Sequence, residues 1–425
     1  MKRLASRRRA VVNAALLAGA TVLSAAGCVT QKSGAVAEQP MWRNRPSYAL
    51  SVIDRREITA PTHVVGEFYE KGQPALDPAH QRVFVGSSDR HLYALSATDL
   101  RTLWSFKTLG FVQCEPLYDP TEDVVYFGSH DGALYKVNAA DGALVWRFNT
   151  NSEINRRPLL YKGLLYAVNA NDTIVAIDPG TGALTWSYHR TPALGMEIAG
   201  YAGVAGGFGR VYTGFSDGRV VSLDALTGEE RWWLDLAAEA EQASGETPRY
   251  LDVDATPIVT RTSTANVVFV AGFAAGVFAL DAETGSRLWG NEQASGVTEL
   301  ALWEEPAHKP RSGGPTVPAK RLLVGASGNT GLWALRLDDG RDVWRKPLPE
   351  GGVSGPTPYA GGLLVSTTRY GLFFLNALDG GVIDAIDTGS GFAMQPAAYG
   401  RRAFVMTNQG AMLSLHIDAP SAVRP

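Results

Sequence analysis

Cysteine is almost missing from this chain, with only Cys28 and Cys114 among 425 residues. That count excludes a framework of disulfides, so an exported form must be held together by its core, and 45% hydrophobic residues can supply a large one. Runs of basic residues are missing beyond the first nine positions, and the formal net charge is −3. A chain without a basic stripe is not expected to bind nucleic acid. The seven histidines (63, 80, 91, 130, 189, 308 and 416) are dispersed, with no spacing that suits zinc. "GGVSGP" around Ser354 and "GASGNTG" around Ser327 lack a Gly-x-Ser-x-Gly elbow, and "GGFG" at 206–209 is not a dinucleotide fingerprint. Adjacent carboxylates such as Glu229-Glu230 and Glu304-Glu305 would face opposite ways on a strand and read as solvated surface. These gaps leave no catalytic residue, no metal set and no cofactor to assign. Cys114 reads as a small buried hydrophobe.

The first stretch, "MKRLASRRRAVVNAALLAGATVLSAAGC", places Arg7, Arg8 and Arg9 before a short apolar run from Ala10 to Gly27, with small residues leading into Cys28. This is the architecture of a secretory signal over 1–27; a single membrane anchor is the competing reading, the run being near the lower limit for spanning. Ala25-Ala26-Gly27-Cys28 resembles a bacterial lipobox, without its usual Leu at the first position. That resemblance implies acylation of Cys28, with Val29 after it favouring the outer membrane. "SRRRAVV" also loosely resembles a twin-arginine signal. Residues 28–46 then read as a linker and 47–420 as one folded domain.

A turn followed by tryptophan recurs along that domain: "DGALVW" (141–146), "TGALTW" (181–186), "TGEERW" (227–232), "TGSRLW" (284–289) and "DGRDVW" (339–344), with "DLRTLW" (99–104) and "DGGVID" (379–384) as degenerate members. From Trp104 through Trp146, Trp186, Trp232, Trp289 and Trp344 the steps are 42, 40, 46, 57 and 55 residues. A period near 40 with insertions indicates a ring, solenoid or array. Within a unit, Asp131-Gly132 and Asp141-Gly142 sit between apolar or alternating runs, a strong hairpin signal. A further strand opens each unit at a proline, as in "EPLYDP", "RPLLYK", "TPIVTR", "GPTVPA", "GPTPYA" and "QPAAYG". Proline is tolerated at a strand start.

No helical period is long enough for crossovers, so the expectation is an all-β, eight-bladed propeller of four-stranded antiparallel blades. The recurrent tryptophans would fill the seams between blades. The last unit, "QPAAYGRRAFVMTNQGAMLSLHI", stops after three strands, and an N-terminal strand must complete it. Ser47–Ile53 and His63–Phe68 both qualify.

The pattern A-x-[DT]-G-x-x-x-W in "NAADGALVW", "DALTGEERW" and "DAETGSRLW" resembles the quinoprotein-type (PQQ-like) propeller repeat, from about Gln73 to Ile417. Two groups share that repeat: the quinoprotein dehydrogenases, which bind pyrroloquinoline quinone and calcium, and the BamB-type lipoproteins, non-enzymatic parts of the barrel-assembly machinery of the outer membrane. The dehydrogenases carry a vicinal Cys-Cys pair and acidic calcium ligands; this chain has no such pair, and Asp89, Asp131 and Asp217 read as turn residues. The resemblance to the BamB-type group implies a lipid-anchored scaffold on the periplasmic side of the outer membrane, with a BamA-like barrel-assembly protein and unfolded outer-membrane proteins as partners.

In that group a loop between the third and fourth blades carries a Leu-x-Leu-Arg docking patch. Its counterpart here, "TPALGMEIAG", offers Leu194, Met196 and Glu197, with Glu where the group has Arg. The alternative is that these residues merely line a connection. Two further long stretches, "AAEAEQASGETPRYLDVD" and "EQASGVTELALWEEPAHKPRSGG", read as inter-blade loops; across the loops Trp303, Met196 and Tyr250 are candidates for exposed anchors, the alternative being that each packs under its own loop. A dehydrogenase-like enzyme with a degenerate site and a ligand-sensing propeller remain the competing functions.

Overall fold

In the computed structural model the described residues are 49–59, 70–192, 201–244, 252–309, 314–347, 352–359 and 361–418. They form eight four-stranded antiparallel sheets, each built from consecutive strands except the last. Blade 2 is typical, with strands Leu117–Asp119, Val124–Gly128, Ala133–Asn138 and Leu144–Asn149. Blades 1 and 3–7 occupy 75–107, 159–189, 205–235, 258–291, 299–346 and 357–386. The first strands of the blades touch one another around the ring, including the pair that joins blade 8 to blade 1, so they line the axis.

Blade 8 takes its three inner strands from 397–417 and its outer strand, β1 (Leu50–Glu57), from the N-terminal end of the described chain. β1 runs antiparallel to Ala411–Ile417 from Leu50↔Ile417 to Glu57↔Ala411. The expected eight-bladed ring is therefore the observed one, closed by an N-terminal strand that begins within the first candidate segment. His63–Phe68 lies outside the described residues.

The turn-to-tryptophan repeat has one geometry throughout. Each outer strand carries a register shift beside its tryptophan, as between Lys136 and Val137 opposite Trp146. A bulge of this kind twists the strand and re-aims a side chain. The indole then crosses into the next blade, where its Nε1–H donates to a turn carbonyl. Trp104, Trp146, Trp186, Trp232, Trp289 and Trp344 bond Ala139, Pro179, Ala225, Ala282, Leu337 and Ala377 at 2.8–3.2 Å. Beneath each ring lies the glycine of the receiving turn, Gly142, Gly182, Gly228, Gly285, Gly340 or Gly380, at φ between 68° and 74°. A Cβ there would come within 2.3–2.9 Å of the indole. Glycine is thus required twice over, by backbone and by contact.

Two seams depart from this. At the Trp position of blade 7 stands Asp384, whose Oδ2 accepts from the backbone N–H groups of Ala49 (2.6 Å) and Leu50 (2.8 Å) and so receives β1. At the seam from blade 8 to blade 1, Asp54 pairs where a tryptophan would stand. The receiving turn there has Leu100 in place of glycine, at φ 56°, fully buried against Phe404, Met406 and Met412. Without an indole above it, the position tolerates a side chain and fills part of the space.

Two expectations require correction. Residues 299–305 are not loop but the first strand of blade 6, Glu299–Glu305, paired in unbroken register with Lys320–Ala326. Trp303 is consequently buried, 2% exposed, against Leu322, Val324 and Phe373, and is no surface anchor. The proline-start rule misplaced this strand because "GPTVPA" falls in the insertion between the blade's first two strands, where His308↔Val317 forms an isolated bridge. The connection after blade 4 also contains a nine-residue helix, α1 (Leu236–Ser244). Among the described residues no helix is long and apolar enough to cross a membrane.

Candidate functional site

The residues ahead of several strand-opening prolines, Gln73, Glu115, Arg157, Thr256 and Gln395, are brought by the ring to one mouth. A cavity of about 210 Å³ lies there, bordered by Gln73, Glu115, Arg156, Arg157, Glu299 and Gln395 among others, drawn from blades 1, 2, 3, 6 and 8. Sequence reading missed this group. The usable signal was a polar residue immediately ahead of the strand-opening proline, as in Gln73-Pro74, Glu115-Pro116, Arg157-Pro158 and Gln395-Pro396.

Arg156 is the central member. Its Nε donates to Tyr201 O (2.7 Å), Nη2 to Asp254 O (2.9 Å) and Nη1 to Glu299 Oε1 (2.6 Å). One guanidinium from blade 3 thereby holds the entries to blades 4, 5 and 6. Its planar fork of five donors suits three separate acceptors, which a lysine could not match in geometry. Arg157 stands 3.3 Å from Glu115, which also accepts from Gln73 Nε2 at 2.6 Å and so links blades 1, 2 and 3.

Burial dominates the electrostatics. It pushes the Glu115 carboxyl up to about 7 against the opposing pull of Arg157. It raises Glu299 as well, despite the Arg156 bridge. Asp254 is pushed up to about 7 by burial first and by neighbouring Asp252 second. Carboxyls raised in this way hold protons up to near neutrality, and the central donor, Arg156, is already committed to two backbone carbonyls and Glu299.

The quinone and calcium of the related dehydrogenases can be tested against these groups. Calcium needs six to eight oxygens converging on one point. Among the described residues, the one cluster of three or more possible ligands close enough to share an ion is Asp77, His80 and Asp123, away from this mouth. There the Arg82 guanidinium already bonds both Asp77 and Asp123. Cys114 is a lone, fully buried thiol; burial pushes it up to about 12, and its Sγ accepts from Gly128 N. The axial residues therefore do not fit a quinone–calcium pair.

Asp89, Asp131 and Asp217 sit on hairpin turns, where their carboxylates accept from the amides of His91, Ala133 and Arg219. The proposed lipidation residue Cys28 and the proposed contacts Leu194, Met196, Glu197 and Tyr250 lie outside the described residues.

Comparison with known proteins follows the same lines. The family profile described as outer membrane protein assembly factor BamB matches residues 115–341 and 298–419. The outer membrane protein assembly factor BamB of Legionella pneumophila (strain Paris) is 24% identical over 209 residues, 49% of this chain and 48% of that one. Quinohemoprotein alcohol dehydrogenase ADH-IIG of Pseudomonas putida is 28% identical over 206 residues, 42% of this chain and 28% of that one. The match thus spans about half the length of the first of these relatives and less of the second. The crystal structure of BamB from Moraxella catarrhalis superposes with a TM-score of 0.65 at 17% identity, over 88% of this chain and 99% of that one, a likeness of fold.

Proposed function

The chain belongs to the family described as outer membrane protein assembly factor BamB, and from that premise we propose that it is a non-enzymatic scaffold for assembling β-barrel proteins in the outer membrane. The observation that carries the reading beyond family is the axial mouth. There Arg156 is spent on Tyr201, Asp254 and Glu299. A guanidinium already committed to three acceptors has few donors left with which to bind and activate a small substrate.

In this reading Cys28 carries lipid, the propeller faces the periplasm, and Leu194 and Met196 dock a BamA-like partner. Glu197 then requires a basic residue on that partner, since like charges at an interface cost several kcal/mol. Unfolded outer-membrane proteins are the second class of partner, met as extended strands.

The test is recovery of the barrel-assembly protein after gentle membrane extraction, with wild type beside a Leu194→Asp, Met196→Asp double variant. Wild type should recover it and the double variant at least about tenfold less, the consequence of losing two apolar anchors. Equal recovery removes the docking site. Quinone-dependent absorbance and dye-linked oxidation by protein given quinone and calcium would replace the scaffold by an enzyme.

A further inference from the structure

Arg82, Arg156, Arg190 and Arg321 each meet a carboxylate at 2.6–2.7 Å. Arg402, which crosses from blade 8 to blade 1, meets none among the described residues. Its acceptors are neutral, Ala97 O, Thr98 O (3.4 Å) and Ser414 Oγ (3.0 Å), and its Nε is buried with no acceptor at all. Arg210, at the same place in blade 4, also donates to carbonyls, Ala282 O and Glu283 O, but Trp232 bonds Ala282 O and closes that seam. The seam of Arg402 has Asp54 where the indole would stand.

Beside Arg402 a cavity of about 180 Å³ opens between the hairpins of blades 8 and 1. Leu76, Pro78, Ala97, Tyr399 and Phe404 give it apolar walls, and Arg401 stands at its edge, half exposed and 3.4 Å from Asp418. Asp77 and Arg82 also line it, as a closed pair. The Asp77 carboxylate is fully buried, accepts from Arg82 Nε at 2.7 Å and lies 3.0 Å from His80 Nδ1, while Arg82 bonds Asp123 as well. The mouth stays open because one latch is missing. Tyr161 and Tyr359, which end the first strands of blades 3 and 7, bond the next blade, Tyr161 accepting from Gly209 N and Tyr359 donating to Gly400 O. Tyr399, their counterpart in blade 8, is 58% exposed and makes no such bond to blade 1 among the described residues.

We propose that this cavity is a binding site for a small aromatic carboxylate, a single ring joined to the carboxylate by a short chain. An apolar cavity of about 150 Å³ accepts benzene, so 180 Å³ holds one ring and little more. The ring lies among Leu76, Pro78 and Phe404, with Tyr399 as an aromatic partner at the mouth. The carboxylate turns to the side of Arg401 and Arg402. A guanidinium fork matches a carboxylate in geometry, and Arg402, with neutral acceptors alone, has its charge still to be met. Asp77 does not oppose the anion, since Arg82 already neutralises it. Both halves of the ligand are needed: a ring without charge leaves Arg402 uncompensated, and a charge without a ring leaves the apolar walls wet. The cavity follows the first strands of its blades in the chain and the axial mouth precedes them, so the two stand at opposite ends of the ring.

The experiment titrates the full chain with 3-phenylpropanoate by calorimetry. Wild type should bind one equivalent. 3-Phenylpropan-1-ol, which has the ring without the charge, and hexanoate, which has the charge without the ring, should each bind at least about tenfold more weakly. Arg402→Gln should weaken 3-phenylpropanoate about tenfold, and Tyr399→Ala, at an exposed position, about threefold. Because Arg402→Gln also gives up bonds to Ala97 and Ser414, hydrogen exchange on wild type supplies a measure that needs no variant. Bound 3-phenylpropanoate should slow exchange at 76–82 and 397–404 about fivefold and leave 115–119 unchanged. No binding by wild type, equal affinity for the alcohol, full affinity in a folded Arg402→Gln, or protection elsewhere in the ring would each overturn the proposal.

Discussion

At the rim the blades repeat one another; at the axis they contribute a mixture of glutamine, glutamate and arginine. Six seams use one indole, one turn carbonyl and one left-handed glycine. The axial belt uses Gln73, Glu115, Arg156, Arg157, Asp254 and Glu299, each from its own place in the chain. Repetition marks what any blade needs in order to pack. What distinguishes one blade from another is written where the repetition stops.

The rim can be broken at its glycines. Gly228→Leu places a Cβ 2.6 Å from the Trp186 ring at φ 72°, so overpacking and backbone strain act together. We expect a loss of about 4 kcal/mol, read as a fall in the urea midpoint. A loss under about 1 kcal/mol would mean the seam is not built on the glycine–indole contact. The reverse exchange sharpens the point. Leu100→Gly, at the seam with no indole, empties a buried side chain and should destabilise by about 3 kcal/mol. The same pair of residues therefore has opposite preferences at two equivalent turns, according to whether a tryptophan lies above.

Closure comes next in size. Asp384→Ala removes an acceptor shared by two backbone N–H groups, Ala49 and Leu50. Charge-assisted bonds of this kind are worth about 2 kcal/mol in place. Hydrogen exchange should rise first in β1 and in its partner Ala411–Ile417. Uniform exchange across all blades would show that the ring does not open at this seam.

Much of the rim was legible from sequence because turn and tryptophan are close together: a glycine, three residues, then an indole fix a hairpin, a bulge and a seam within one short stretch. The same reading required a closing N-terminal strand, since a three-stranded remainder demands a fourth, and left two segments to supply it. Blade 6 was misread because its first strand, Glu299–Glu305, has no proline, and a Gly-Pro pair in the following insertion imitated the marker. The axis was illegible for a different reason. Arg156 and Glu299 are 143 positions apart, and each alone is an ordinary polar residue in a connection. Only ring closure sets them face to face.

The smallest expected effect separates axis from rim by pH. The Glu115 carboxyl ordinarily titrates near 4.5, and burial lifts it to about 7 in the folded protein. Between those values the folded state keeps a proton that the unfolded chain has released, so unfolding free energy falls as pH rises through the window and is flat beyond it. The full shift would correspond to about 3 kcal/mol, and partial solvent access at the mouth, where a quarter of the side chain is exposed, brings the expectation to about 1–2 kcal/mol. Glu115→Gln keeps the shape and removes the titration. Its stability should match wild type near pH 4 and exceed it by about that amount at pH 8. Indole seams have no proton to exchange in this range, so Trp186→Phe should lower stability by a similar amount at both pH values. Parallel curves for wild type and Glu115→Gln would mean that water reaches the belt freely, and the axis would then be an open channel rather than a closed one.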